Sequence, residues 1–145
     1  MKIAEIMSSD VQLVSPNDTI QAAAQKMEDA DVGFLPVGEN DRLVGMVTDR
    51  DIALRAVARG KNPKKTKVRD VMSDHVFYCA DDTDIDDAAD NMADLQIRRL
   101  PIVDGNKRLV GVVSIGDIAF RHKASTAGEA LECVCKPNGD SGTAA

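Results

Sequence analysis

The chain repeats itself, and this constrains its fold more than any other feature. Ile3-Ala4-Glu5-Ile6-Met7-Ser8 returns as Val68-Arg69-Asp70-Val71-Met72-Ser73, an offset of 65 residues. At the same offset Ile20, Ala23, Ala24, Met27, Leu35 and Pro36 correspond to Ile85, Ala88, Ala89, Met92, Leu100 and Pro101. One extra residue in a turn of the second copy moves the offset to 66. Arg42-Leu43-Val44-Gly45 then matches Arg108-Leu109-Val110-Gly111, and Asp51-Ile52-Ala53 matches Asp117-Ile118-Ala119. Duplicated units this small bury too little apolar surface alone, so the two copies must pack on one another. The polar stretch Gly60-Lys61-Asn62-Pro63-Lys64-Lys65 breaks helices and marks the boundary. The expected division is a first repeat over 1–62, a second over 63–123, and a weakly ordered tail over 124–145. That tail is rich in Gly, Ser, Thr and Ala.

Each copy reads the same way. A short apolar piece, residues 11–14 or 76–79, predicts a strand. Asp18 or Thr19, and Thr83 or Asp84, are cap candidates for a following helix. Ile20, Ala23, Ala24 and Met27 fall at i, i+3, i+4 and i+7, one apolar stripe, and Ile85, Ala88, Ala89 and Met92 repeat it. Two further apolar runs follow, 34–37 with 43–47 and 100–103 with 109–113, the second pair joined by the turn signal Asp104-Gly105. Both read as hairpins. A last helix starts near 49–51 or 116–117. The fold class is therefore α/β, two tandem βαββα units packed face to face about a pseudo-twofold axis.

Composition narrows the function classes. The 145 residues carry 18 Lys+Arg against 24 Asp+Glu, a net charge of −6, and only 3 % are aromatic, with no Trp. A nucleic-acid binder normally shows a basic face or stacking rings, so nucleic acid is an unexpected partner. No apolar run approaches the ~20 residues of a membrane span, and the start MKIAEIMSSD lacks a secretory stretch. Three cysteines without an export signal argue for a reducing cytoplasm rather than a disulfide framework.

The chemistry-bearing candidates sit at repeated positions. Val44-Gly45-Met46-Val47-Thr48-Asp49-Arg50-Asp51 and Val110-Gly111-Val112-Val113-Ser114-Ile115-Gly116-Asp117 share Gly-apolar-Val-(Thr/Ser)-x-x-Asp. A hydroxyl at a strand-to-helix junction is a natural N-cap. The alternative is a ligand site, in which the helix start attracts phosphate and the Asp accepts from two ribose hydroxyls. Retention of both groups in both copies favours the ligand. Arg98-Arg99 precedes Leu100-Pro101-Ile102-Val103, either as a solvated strand end or as a phosphate clamp. The first copy has Gly33-Phe34 there, and Arg50 is its nearest basic compensation.

These residues together resemble the CBS-domain family, and the chain is similar to a stand-alone CBS-domain pair, a Bateman module, over residues 3 to about 123. The marks are the segments ending in Ile6-Met7 and Val71-Met72, the Leu-Pro-Val and Leu-Pro-Ile strands, and the two Gly-x-x-(Thr/Ser)-x-x-Asp motifs. The resemblance implies paired βαββα repeats whose clefts bind AMP, ADP, ATP or S-adenosylmethionine as a ligand, with no catalytic cofactor. It implies Asp51 and Asp117 on ribose, Thr48 and Ser114 near ribose or phosphate, and Arg98 and Arg99 near phosphate. Met46 and Val112 would line the base pocket with residues around 7–12 and 72–77. Gly33-Phe34 and Asp49 depart from the pattern, so the two sites should be unequal. The resemblance also implies a homodimer through residues 52–57 and 118–122.

Other clusters carry less. Asp81, Asp82, Asp84, Asp86, Asp87 and Asp90 fail the EF-hand spacing, with Asp87 where the turn glycine belongs, and fit a helix start instead. Cys133-Val134-Cys135 has no neighbouring His or third Cys, Cys79 fits a core, and His75 and His122 lack a nucleophile pattern. No motif supports catalysis or a metal site. The expected function is a non-catalytic, energy-sensing regulatory module that binds an adenine nucleotide and acts on a protein target in trans. The alternative is an interaction module with empty clefts that acts through its dimer surface.

Overall fold

The computed structural model describes residues 1–40 and 42–136. The elements run α1 (Ile20–Ala30), β1 (Phe34–Glu39), β2 (Arg42–Thr48), α2 (Asp49–Arg55), β3 (Cys79–Ala80), α3 (Ile85–Leu95), β4 (Arg99–Val103), β5 (Leu109–Ser114), α4 (Ile115–Arg121) and α5 (Ala124–Cys135). The second repeat shows the expected βαββα order with one helix added, and the first shows αββα. The chain forms two compact units, Val11–Val76 and a second that joins Met1–Asp10 to the chain from Phe77 onward. The units are therefore offset from the sequence repeats, because each repeat's leading segment packs in the other unit.

In the unit Val11–Val76, α1 starts at Thr19, whose hydroxyl accepts from Ala22 N at 3.1 Å. It ends at Asp31, held left-handed at φ 54° while its N–H closes the last turn on Glu28 O and Met27 O. Ile20, Ala23 and Met27 are buried against the β1–β2 hairpin, in which Leu35 pairs with Val47. Val68 and Val71 of the second repeat's leading segment complete this core, both fully buried. Main-chain bonds seat that segment: Val68 N donates to Asp18 O at 2.8 Å and Ser73 N to Met46 O at 2.8 Å. The expected strand over 11–14 is reduced to one parallel bridge between Val14 and Val37. Pro16, without an N–H to continue a ladder, follows two residues later.

The other unit repeats the plan with Ile3 and Ile6 in place of Val68 and Val71. Ile3 N donates to Thr83 O at 2.8 Å, and Ser8 exchanges bonds of 2.8 and 2.9 Å with Val112. The sheet is β3–β4–β5, with β3 parallel to β4 and β4 antiparallel to β5. The strand expected over 76–79 is two residues long, because Phe77 and Tyr78 stay exposed and only Cys79 enters the core. Asp84 precedes α3 and pairs through its carboxylate with Lys2 Nζ at 3.0 Å. Asp86 and Asp87 occupy the first turn of α3, where carboxylates complement the helix dipole, as expected of the acidic run.

The largest departure lies after Lys123. Residues 124–135, expected to be weakly ordered, form α5, which packs on α3 and α4. Its small residues permit close approach, and Ala127, Ala130 and Val134 join the core at i, i+3 and i+7. Composition suggested a loose tail, but this periodicity prevails. The remainder of the expected tail, 137–145, lies outside the described residues. Because α5 covers α3, Ala89 is 3 % exposed. Ala24, its equivalent on α1, is exposed.

Candidate functional site

Both motifs occupy strand-to-helix junctions. Thr48 Oγ1 accepts from Asp51 N at 3.0 Å, and Asp51 Oδ2 accepts from Thr48 N at 3.0 Å. Ser114 and Asp117 repeat this with bonds of 3.0 and 2.9 Å. The spacing therefore makes a reciprocal capping box, which needs both the hydroxyl and the carboxylate. Each cap uses one oxygen of its aspartate. Asp51 Oδ1 lies 3.9 Å from Arg55 Nε within α2.

The glycines of the motifs have a separate cause. A Cβ on Gly45 would stand 2.7 Å from Ser73 O, and one on Gly111 would stand 2.9 Å from Ser8 O. Each leading segment thus crosses its strand too closely for any side chain. The main chain of Met46 pairs with Ser73 and that of Val112 with Ser8, so both proposed base-pocket residues are fixed by this crossing. Arg55 Nη1 donates to Val71 O at 3.1 Å, and Arg121 Nη1 donates to Ile6 O at 3.4 Å. This pair of arginines, at the repeat offset of 66, clamps the end of each leading segment and escaped notice in the sequence. Its signal was present in the alignment of the copies.

The charges at the two junctions oppose each other. In the second repeat Arg99 pairs across the ladder with Ser114, and Arg98 O accepts from Ile115 N at 3.0 Å. Both arginine side chains are exposed. In the first repeat Gly33 O accepts from Asp49 N at 2.9 Å, the same main-chain bond, but a Cβ on Gly33 would lie 3.0 Å from Asp49 Oδ2. Where the second repeat presents guanidinium groups, the first presents a carboxylate. Arg50 is exposed at the start of α2, beside Asp49.

A cleft of about 540 Å³ opens beside the second junction, bordered by Arg98, Arg99, Ser114 and Gly116. Its size suits a small molecule. The structure gathers Arg98, Arg99 and Ser114 on this cleft, whereas Asp117, which turns one carboxylate oxygen to the Ser114 N–H, and the buried Val112 are not among the residues that border it. Ile115 and Ala119 of α4 and residues of α5 complete the lining, and the Gly-, Ser-, Thr- and Ala-rich composition beyond Lys123 does not signal the α5 part. No group of three or more His, Cys, Asp or Glu among the described residues could hold a metal ion. Burial pushes the Cys79 thiol up, partly offset by Asn91 Nδ2 at 3.5 Å from its sulfur, whereas Cys133 and Cys135 are exposed. No helix of the described residues is long and apolar enough to cross a membrane.

Comparison with known proteins gives concordant matches. The family model of the CBS domain matches residues 3–57 and 68–122. The CBS domain-containing protein YhcV of Bacillus subtilis is 44 % identical over 137 residues, spanning 94 % of this chain and 96 % of the relative. Among solved structures, the CBS domain protein TA0289 of Thermoplasma acidophilum superposes with a TM-score of 0.80 at 26 % identity, over 92 % of this chain and 75 % of that one. The CBS domain pair of protein MJ0100, solved in complex with 5'-methylthioadenosine and S-adenosyl-L-methionine, gives 0.74 at 28 % identity, over 83 % of this chain and 98 % of that one.

Proposed function

The chain belongs to the CBS-domain family, and from that premise we propose that it is a non-catalytic regulatory module that binds an adenine nucleotide or related adenosyl ligand. The observation that carries this reading is the cleft in which Arg98 and Arg99 stand beside Ser114. Two guanidinium groups at one rim suit a phosphate or carboxylate. Asp117, with one oxygen committed to the cap, keeps the other for ribose hydroxyls. MJ0100, a CBS pair of similar fold, was solved with two adenosyl compounds, which supports the ligand class. The first repeat, with Thr48, Arg50 and Asp51 but with Asp49 beside Gly33, binds an anionic ligand more weakly, because like charges repel. Met46, half-buried, offers an aliphatic surface for a base in the first repeat, whereas its equivalent Val112 is buried.

The proposed output is a change in partner contacts in the cytoplasm, through a homodimer and a protein target in trans. Leu54 and Phe120 occupy equivalent positions on α2 and α4 and are 49 % and 91 % exposed, which supports a helix-mediated self-association. Calorimetry with AMP, ADP, ATP and S-adenosylmethionine on the parent and on an Arg98→Ala/Arg99→Ala variant tests the ligand site. Each lost charge-assisted bond weakens binding by about 1.5–3 kcal/mol, tenfold or more. Unchanged binding in the variant removes these arginines from the site. No binding by the parent to any of the four ligands sinks the nucleotide reading and leaves the interaction module.

A further inference from the structure

The first repeat has nothing equivalent to α5: its chain passes from α2 into a 3₁₀ turn over Val57–Arg59 and a left-handed Gly60. In the second repeat α5 returns across α3 and α4 and reaches the cleft. It is fixed there by its buried residues and by polar contacts at its far end. Gln96 Nε2 donates to Cys133 O at 3.1 Å, and Arg98 Nη2 lies 3.6 Å from Cys135 Sγ. Arg98 thus borders the cleft and also touches α5, which forms part of its wall.

Gly128 stands on this wall with Ala124 and Leu131 and lines the same cleft as Arg98, Arg99 and Ser114. A Cβ at Gly128 would meet no atom within 4 Å, and its backbone is ordinary right-handed helix. Neither a turn nor a close crossing requires glycine there. In mid-helix it costs about 1 kcal/mol relative to alanine. Its one structural consequence is open space beside the cleft.

We propose that α5 is the selective wall of the second-repeat cleft and that Gly128 is its specificity-determining position. The cleft takes a ligand whose anionic end meets Arg98 and Arg99 and whose apolar body lies along Ala124, Gly128 and Leu131. This rests on the nucleotide reading above and extends it, since the first repeat has no such wall and discriminates less among ligands.

Gly128→Ala and Gly128→Leu test it, by calorimetry with AMP, ATP and S-adenosylmethionine and by thermal unfolding. Both substitutions place better helix formers at an exposed position, so both variants fold with an equal or higher Tm. Gly128→Ala adds one methyl to the wall and weakens ligand binding less than Gly128→Leu does. Gly128→Leu fills the open space and weakens the binding that depends on Arg98 and Arg99 at least tenfold. A Leu variant that binds as the parent does overturns the wall while the nucleotide reading stands. A parent that binds none of the three ligands overturns both. Parent binding that survives Arg98→Ala/Arg99→Ala places the ligand elsewhere and overturns the wall alone.

Discussion

Gly45 and Gly111 show how one missing side chain decides a local structure. Each lets a leading segment bring its carbonyl, Ser73 O or Ser8 O, within 3 Å of where a Cβ would be. Gly45→Ala or Gly111→Ala forces backbone apart and is expected to cost about 1–3 kcal/mol in urea unfolding. A change below 0.5 kcal/mol would show that the crossing yields easily. The Lys2–Asp84 pair makes a pH prediction. Lys2 holds the Asp84 carboxyl below its ordinary 3.8, and Asp84 raises the Lys2 ammonium above 10.5. A lowered carboxyl contributes stability above 3.8 and loses it as pH falls through the folded value. A raised ammonium contributes below 10.5 and loses it as pH rises through its folded value. Parent and Asp84→Asn should therefore differ most between those limits and converge in stronger acid, when unfolding is followed against pH. Both groups are exposed, so the difference is small. At this scale the repeated motif was legible as a pattern, yet its chemistry was ambiguous. Thr48–Asp51 and Ser114–Asp117 serve as capping boxes whether or not a ligand visits.

Helices α1 and α3 carry the same stripe and end on a left-handed residue at equivalent positions, Asp31 and Gln96 at φ 54° and 55°. Their surroundings differ. α5 covers the Ala89 position of α3, and nothing equivalent follows the first repeat. Ala24→Lys should leave stability within about 0.5 kcal/mol of the parent. Ala89→Lys forces an ammonium under α5 and should lose more than about 2 kcal/mol by the same urea measurement. Equal effects at the two positions would mean that α5 does not stay seated on α3. The stripes, the hairpins and the helix starts could all be read from periodicity and turn residues. α5 could not, since Gly, Ser, Thr and Ala match both a loose tail and a closely packed helix. Only the partner surface on α3 and α4 decides between them.

For the whole molecule, the two compact units cut across the duplication. The unit Val11–Val76 is continuous in sequence, whereas the other needs Met1–Asp10 to supply Ile3 and Ile6. Deleting residues 1–10 should therefore lower hydrogen-exchange protection in α3, β4 and β5, while α1, β1 and β2 keep theirs. Loss confined to the first repeat would contradict this division of the core.

By itself, the sequence determined that the chain is a duplicated α/β protein of the CBS-domain kind and where the apolar stripes and hairpin strands of each repeat lie. Those follow from local periodicity and from turn and cap chemistry, which act over a few residues. Tertiary structure alone decided that the leading segments exchange between repeats, that α5 walls the cleft beside Arg98 and Arg99, and that Gly128 borders that cleft. Each of these depends on contacts between residues far apart in the chain, and no local pattern encodes which surface a segment will find.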